Sequence, residues 1–324
     1  MKNSKKRFIC LEAVLAVMVA VLAFLMYREQ KGEPLRKVSV ILPDSDSGQW
    51  SAFRYGLRMA AEDQGVEMFV VSIGDKMTVH EEIKTINYEI DNGADAVIVL
   101  PVPGTDAEAK LKKAAKKIPV MLVESTASKR REDSELPTTQ PDNYAMGKTL
   151  AEEILADYNG KLKGKTLGIV MVGGGSEAII SRLNGFQETL KGTGVKISWS
   201  VSGSFREGEE DSLVTKPRVD LVAALDNDSL ITAGEYAAAN NLHGALLYGI
   251  GNSTEVVYYL DTGAVECLVV PDDFSVGYQS LTEVAENLSH IFHKMENHTL
   301  SYTVLRKEEL FAKENQEILF TMSQ

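Results

Sequence analysis

The feature that most constrains this chain is the alternation, from Val38 onward, of short apolar, β-branched runs with helical stretches. Strands are expected at Val38–Leu42, Met68–Ile73, Ala96–Leu100, Val120–Val123, Leu167–Val172, Ile197–Val201, Leu221–Leu225, Ala245–Gly249 and Cys267–Val270. Helices fall between them, at about 49–64, 79–92, 106–116, 143–158, 176–191, 229–241, 253–262 and 275–296. That spacing is one of repeated βαβ units with parallel sheets. In such sheets ligands collect at the carboxyl ends of the strands, where loops carry no packing duty and helix N-termini face the crevice. The first loop of this kind, after Leu42, holds Asp44, Gln49 and Trp50.

A chain of 324 residues is long enough for two lobes, because single cores stop growing at about 250–300 residues. An internal echo supports two. Gly56 to Val66 and Gly185 to Val195 share their spacing: one glycine inside the helix, where it permits close helix-to-sheet approach, and a second nine positions on that ends it. The changeover is expected in the irregular stretch from Thr126 to Asp142. Cap-like starts are read at Thr105 to Glu108 and, more loosely, at Asn252 to Glu255.

The formal charge is -12; residues 1–37 hold eight Lys or Arg against three Glu, which leaves -17 on the remainder. So acidic a surface argues against a nucleic-acid partner. Of the two cysteines, Cys10 lies in or beside the N-terminal apolar segment and Cys267 in a strand-like run, so no internal disulfide is expected and Cys267 reads as a buried thiol.

Lys2, Lys5, Lys6 and Arg7 precede an apolar stretch from Phe8 to Tyr27, 20 residues broken only by Glu12. That is about the length that crosses a bilayer core. A secretory signal peptide starts in the same way but has a shorter apolar core. The expectation is an uncleaved single-pass anchor with the following domain outside the cell, residues 1–27 forming the cytoplasmic start and anchor and 28–37 a linker.

Beyond the anchor the chain resembles the type I periplasmic sugar-binding family, the ribose-binding-protein-like proteins that share their core with lactose-repressor ligand domains. The likeness runs from about Val38 to Val304. It is carried by NGADAVIVLPV (Asn92 to Val102), IPVMLVES (Ile118 to Ser125), PDNYAMGKTLAEEI (Pro141 to Ile154), SRLNGF (Ser181 to Phe186), ALDNDSLITAG (Ala224 to Gly234), YGIGNS (Tyr248 to Ser253) and VVPDDFSVGY (Val269 to Tyr278). The resemblance implies an α/β fold of two similar doubly wound parallel-sheet lobes, 38–140 plus 274–302 and 141–273 plus 303–324. Three crossovers would join them near Thr139–Asn143, Pro271–Asp273 and Ser301–Val304, with Asn143, Pro271 and Asp273 as hinge residues. It places Asp44, Trp50, Glu124, Arg182, Phe205, Asn227 and Asn252 around a ligand. Trp50 and Phe205 would sandwich the C–H faces of a sugar ring, the carboxylates and amides would bond hydroxyls, and Arg182 would donate several bonds in a fixed fork. Three positions depart from the family pattern: Glu124-Ser125 stands where Asp-Arg is frequent, Gly251 replaces a common aspartate, and Pro271 a common glutamine.

The implied function is a non-enzymatic, membrane-anchored solute-binding protein that delivers a sugar to an ABC permease by lobe closure. The alternative within that reading is a ligand-sensing partner of a membrane histidine kinase. A different class, a nucleotide-dependent α/β enzyme, is motivated by Gly173-Gly174-Gly175, which lacks the G-x-G-x-x-G spacing and a Walker lysine. His290, His293 and His298 cluster in sequence, but no neighbouring Cys or paired carboxylate completes a metal site. No cofactor or metal is expected.

Overall fold

A computed structural model describes residues 17–19, 21, 35–43, 47–74, 78–104, 106–124, 136–172, 176–203, 212–290 and 292–324. The elements run β1 (Lys37–Pro43), α1 (Ser51–Gln64), β2 (Glu67–Ile73), α2 (Val79–Asp91), β3 (Ala96–Val99), α3 (Ala107–Ala114), β4 (Val120–Val123), β5 (Thr138–Pro141) and α4 (Asn143–Asp157). They continue with β6 (Thr166–Met171), α5 (Glu177–Leu190), β7 (Lys196–Ser202), β8 (Leu221–Ala224), α6 (Asn227–Ala238), β9 (Leu246–Ile250) and α7 (Thr254–Thr262). The last are β10 (Cys267–Pro271), α8 (Asp273–Ser289), β11 (His298–Leu300), β12 (Tyr302–Leu305) and α9 (Gln316–Met322).

The strands form two six-stranded sheets. The first has the order β11-β5-β4-β3-β1-β2 and is parallel throughout; the second has the order β12-β10-β9-β8-β6-β7. In the second sheet β12 runs antiparallel to β10, a departure from the purely parallel expectation. Central strands β3, β4, β8 and β10 are buried along their whole length, which is why they read as continuous apolar runs. Each sheet has a core on both faces: Val40 packs toward α1 and α8, and its neighbour Ile41 toward α2 and α3. In the second sheet Val170 and Ile169 divide in the same way.

The chain passes between the sheets at Asp142, Asp272 and Ser301. Asp142 follows β5 and caps α4 through Ala145 N (3.0 Å), and Asp272 follows β10 and caps α8 through Ser275 N (3.0 Å). Their backbone N–H groups donate to Leu300 O (3.1 Å) and Ser301 O (3.2 Å), tying the three crossovers into one strap. Because Thr303 and Val304 already pair with Val270 and Val269, the third crossing is confined to Ser301.

Interior glycines hold helix against helix, where helix-to-sheet contact was expected. A Cβ on Gly56 of α1 would stand 2.0 Å from the Phe274 oxygen of α8, and one on Gly185 of α5 would stand 2.1 Å from the Tyr144 oxygen of α4. Gly65 does end α1, in the left-handed conformation, but α5 stops at Leu190, before Gly194. Thr105 lies outside the described residues, and Ser253 precedes α7 without a side-chain cap bond. Among the described residues a capping box opens α2, where the Thr78 hydroxyl accepts from Glu81 N and the Glu81 carboxylate accepts from Thr78 N.

Two further expectations are corrected. Most of residues 8–27 lies outside the described residues, and among those described no helix is long and apolar enough to cross a membrane. This corrects the expected N-terminal transmembrane helix, and with it the membrane-anchored variant, the membrane contact and the single-pass localisation, none of which the described residues support. Their warrant was an apolar run of spanning length behind a basic start, a pattern whose beginning spanning helices share with secretory signal peptides. The second correction concerns α8, which ends at Ser289 and not near 296, with His290 in extended backbone conformation. Cys267 is buried in β10, and burial pushes its thiol up to about 12.

Candidate functional site

The carboxyl ends of the two sheets face each other across a cavity of about 180 Å³. Each wall is made by strand ends and helix starts. From the first lobe come Trp50 at the start of α1, Glu124 after β4 and Asp273 at the start of α8; from the second come Arg182 in α5, Asn227 at the start of α6 and Asn252 after β9.

Arg182 is 8% exposed and held on three sides. Its Nε donates to Asn143 Oδ1 (2.8 Å), one terminal nitrogen donates to Leu225 O (3.1 Å), and the other lies 3.6 Å from Glu124 Oε1 in the opposite lobe. It is the sixth residue of its helix and reaches the cavity because helical side chains lean toward the N-terminus. Glu124 has a left-handed backbone, φ 62°, uncommon for a residue with a side chain. Burial raises its carboxyl pKa, and the Arg182 charge opposes that rise.

Asn252 makes the other link between lobes. Its Nδ2 donates to Gln49 O (2.9 Å) and to the Asp273 carboxylate, and its backbone N–H donates to Asn227 Oδ1 (3.2 Å). Burial pushes Asp273 up to about 7, against the bond from Asn252 and with the nearby Glu124 charge adding to the rise. Asp226 is committed elsewhere: it caps α6 through Ser229 N (2.9 Å) and accepts from Val172 N (2.8 Å). The Trp50 ring meets Phe53 edge-on at 6.0 Å, while its buried Nε1–H has no partner among the described residues. A buried donor without a partner is costly, and a ligand acceptor would satisfy it.

Residues 38–290 match the model of a family described as "periplasmic binding protein domain". The chain belongs to that family. Over 165 residues this periplasmic binding protein domain is 28% identical to the galactofuranose-binding protein YtfQ of Escherichia coli K12, and it spans about half the length of that curated relative. In fold it is similar to a carbohydrate transporter solute binding protein from Agrobacterium radiobacter, solved in complex with D-arabinose (TM-score 0.76, 20% identity, 88% of this chain and 98% of the other). It is also similar to GanP, a glucose-galactose binding protein from Geobacillus stearothermophilus (TM-score 0.73, 18% identity, 86% of this chain and 100% of the other).

Of the positions singled out in the sequence of this binding-protein domain, Trp50, Glu124, Arg182, Asn227 and Asn252 line the cavity. Asp44, Phe205 and the triple glycine lie outside the described residues. Asn143, Pro271 and Asp273 stand at the crossovers, yet Pro271 and Asp273 also line the cavity and Asn143 orients Arg182. That second duty was missed, although a sequence signal for it exists. Pro141-Asp-Asn-Tyr-Ala-Met-Gly147 and Pro271-Asp-Asp-Phe-Ser-Val-Gly277 are two copies of one pattern: strand end, helix cap, site residue, and helix-contact glycine.

Proposed function

We propose that the chain is an extracytoplasmic solute-binding protein that holds a sugar between its two lobes and presents it to the permease of an ABC importer without altering it chemically. Membership of a binding-protein family supports a non-enzymatic role, and the sugars named for its relatives (galactofuranose, D-arabinose, glucose and galactose) support the ligand class. The observation that carries the reading is the pairing of the unpartnered Trp50 Nε1–H with a rim of groups that bond across lobes, Arg182 to Glu124 and Asn252 to Gln49. An aromatic face suits the C–H side of a sugar ring, and an arginine fork with carboxylate and amide groups suits its hydroxyls. Lobe closure requires that the liganded state gain contacts that neither lobe makes alone, which groups shared between the lobes provide.

Thermal unfolding of the full-length chain with D-arabinose, D-galactose, D-glucose and galactofuranose tests this. At a hundredfold excess over its dissociation constant, a binder stabilises the fold by about 2.7 kcal/mol. Trp50→Ala and Arg182→Ala should each remove most of that gain while the unliganded protein stays folded. No response to any sugar, or a response unchanged in both variants, would overturn the assignment.

A further inference from the structure

The early stop of α8 brings together groups that are distant in the sequence. Past Ser289 the chain turns back along its own helix, and His293 and His298 both reach Glu283, one at each carboxylate oxygen: Nε2 to Oε1 at 2.7 Å and Nε2 to Oε2 at 2.8 Å. The Glu283 side chain is only 5% exposed. Glu286, three residues on and therefore on the same helix face, places Oε2 3.7 Å from His293 Nε2. One ligand atom each from Glu283, Glu286 and His293 lies within 4.8 Å of the other two. The carboxylate pair that the sequence did not reveal is supplied by α8.

We propose that Glu283, Glu286 and His293, with His298 beside them, bind one divalent transition-metal ion, zinc being the best match. Zinc takes imidazole nitrogen and carboxylate oxygen at about 2.0–2.2 Å in a tetrahedron, which sets neighbouring ligand atoms about 3.4 Å apart. The separations of 2.7 Å from His293 to Glu283 and 3.7 Å from His293 to Glu286 bracket that figure, so the donors already stand near ligand spacing. Imidazole donors favour zinc over magnesium or calcium, which prefer all-oxygen shells. Two carboxylates with neutral imidazoles present two negative charges to a dication. His293 would turn its Nε2 lone pair to the metal, with the ring proton on Nδ1, exchanging its hydrogen bond to Glu283 for shared ligation.

The supporting bonds are already in place. Glu296 N donates to Glu283 Oε1 (2.9 Å), and Asn287 Nδ2 donates to His293 O (2.6 Å). Such outer bonds fix ligand orientation. Glu286 and His293 are partly exposed, which gives an ion an entry path and a position for water. Glu283 lies ten residues along α8 from Asp273, about 15 Å from the sugar cavity along the helix axis. The ion would fasten 293–298 to α8, and that segment leads through β11 into the crossover at Ser301.

The test is zinc titration of the untagged, chelator-stripped full-length chain by calorimetry and thermal unfolding. One ion per chain is expected, with a rise in melting temperature. Glu286→Gln and His293→Ala should each weaken binding at least tenfold, while His290→Ala should leave it unchanged. Glu286 is 44% exposed, so its substitution tests ligation without opening the core. Cobalt(II) should give the visible absorption of a tetrahedral ion in the parent chain and lose it in His293→Ala. Absence of a stoichiometric ion, or affinity unaffected by Glu286→Gln and His293→Ala, would overturn the proposal and leave a hydrogen-bonded clamp in its place.

Discussion

In the N-terminal lobe, the third residue before the helix-contact glycine Gly56 is Phe53, 1% exposed and part of the core; in the C-terminal lobe, the third before Gly185 is Arg182, 8% exposed and facing the cavity. The backbones of these two residues do the same work. A Cβ on Gly277 would stand 2.2 Å from the Phe53 oxygen, and one on Gly147 would stand 1.9 Å from the Arg182 oxygen. The lobes thus share a frame of paired glycine helices, and at one position of it the first lobe carries a buried ring and the second a charge that lines the cavity. The first lobe also buries a titratable side chain: Glu82, the fourth residue of α2 after its Thr78 cap, is fully buried.

Breaking the comparison at its apolar side should have the largest effect. Phe53→Ala removes a buried ring and should cost about 3–5 kcal/mol of stability, measured by urea unfolding. Close behind are the glycines. Helix-interior Gly→Ala ordinarily stabilises by up to about 1 kcal/mol, yet Gly147→Ala and Gly277→Ala drive a methyl into a backbone oxygen and should each destabilise by about 3 kcal/mol. Equal losses in the two lobes would support a shared frame; a neutral result in either would break it.

Glu82 gives the first lobe a pH dependence of its own. Burial pushes it up to about 7, with one oxygen accepting from Val102 N (2.8 Å) and the other without a partner among the described residues. Between the ordinary carboxyl value of 4.5 and about 7 the folded state keeps a proton that the unfolded state releases, so stability falls as pH rises through that window and levels off above it. The contribution is about 3 kcal/mol across the window. Glu82→Gln, a neutral mimic of the protonated acid, should flatten that part of the stability–pH curve. Slightly smaller is Arg182→Met, which should abolish the ligand-linked gain of about 2.7 kcal/mol.

The strands buried on both faces were legible because their apolar runs need no partner to be recognised, whereas β5, β11 and β12 were not. Thr138–Pro141 and His298–Leu300 are short and polar, and they become strands only where the crossovers lay them beside a finished sheet. The overrun of α8 to 296 has a similar cause. No glycine or proline stops it; bonds from His293, His298 and Asn287 do, and these are tertiary. Within the cavity, Trp50 could be placed from the alternation itself, whereas Glu124, Arg182, Asn227 and Asn252 were implied by the family resemblance. Asn143 and Asp273 read only as hinge because each follows a helix-capping aspartate at a crossover, and its reach to Arg182 or the cavity is set by tertiary packing.

The smallest expected effect lies where the lobes meet. Asn252 belongs to the second lobe, but the Gln49 carbonyl it bonds, and the Asp273 carboxylate that begins α8, pack with the first. A hydrogen bond between lobes has an open-state competitor in water, so its net value is that of an ordinary exchange, about 1 kcal/mol. Asn252→Ala should therefore weaken sugar affinity about fivefold through the closure equilibrium, with little change in the unfolding of either lobe. Scattering of the unliganded chain should at the same time show a more extended average. A much larger loss of affinity without any change in scattering would place Asn252 against the ligand itself, and the two lobes would then be joined by Arg182 and Glu124 alone among the side chains described for this cavity.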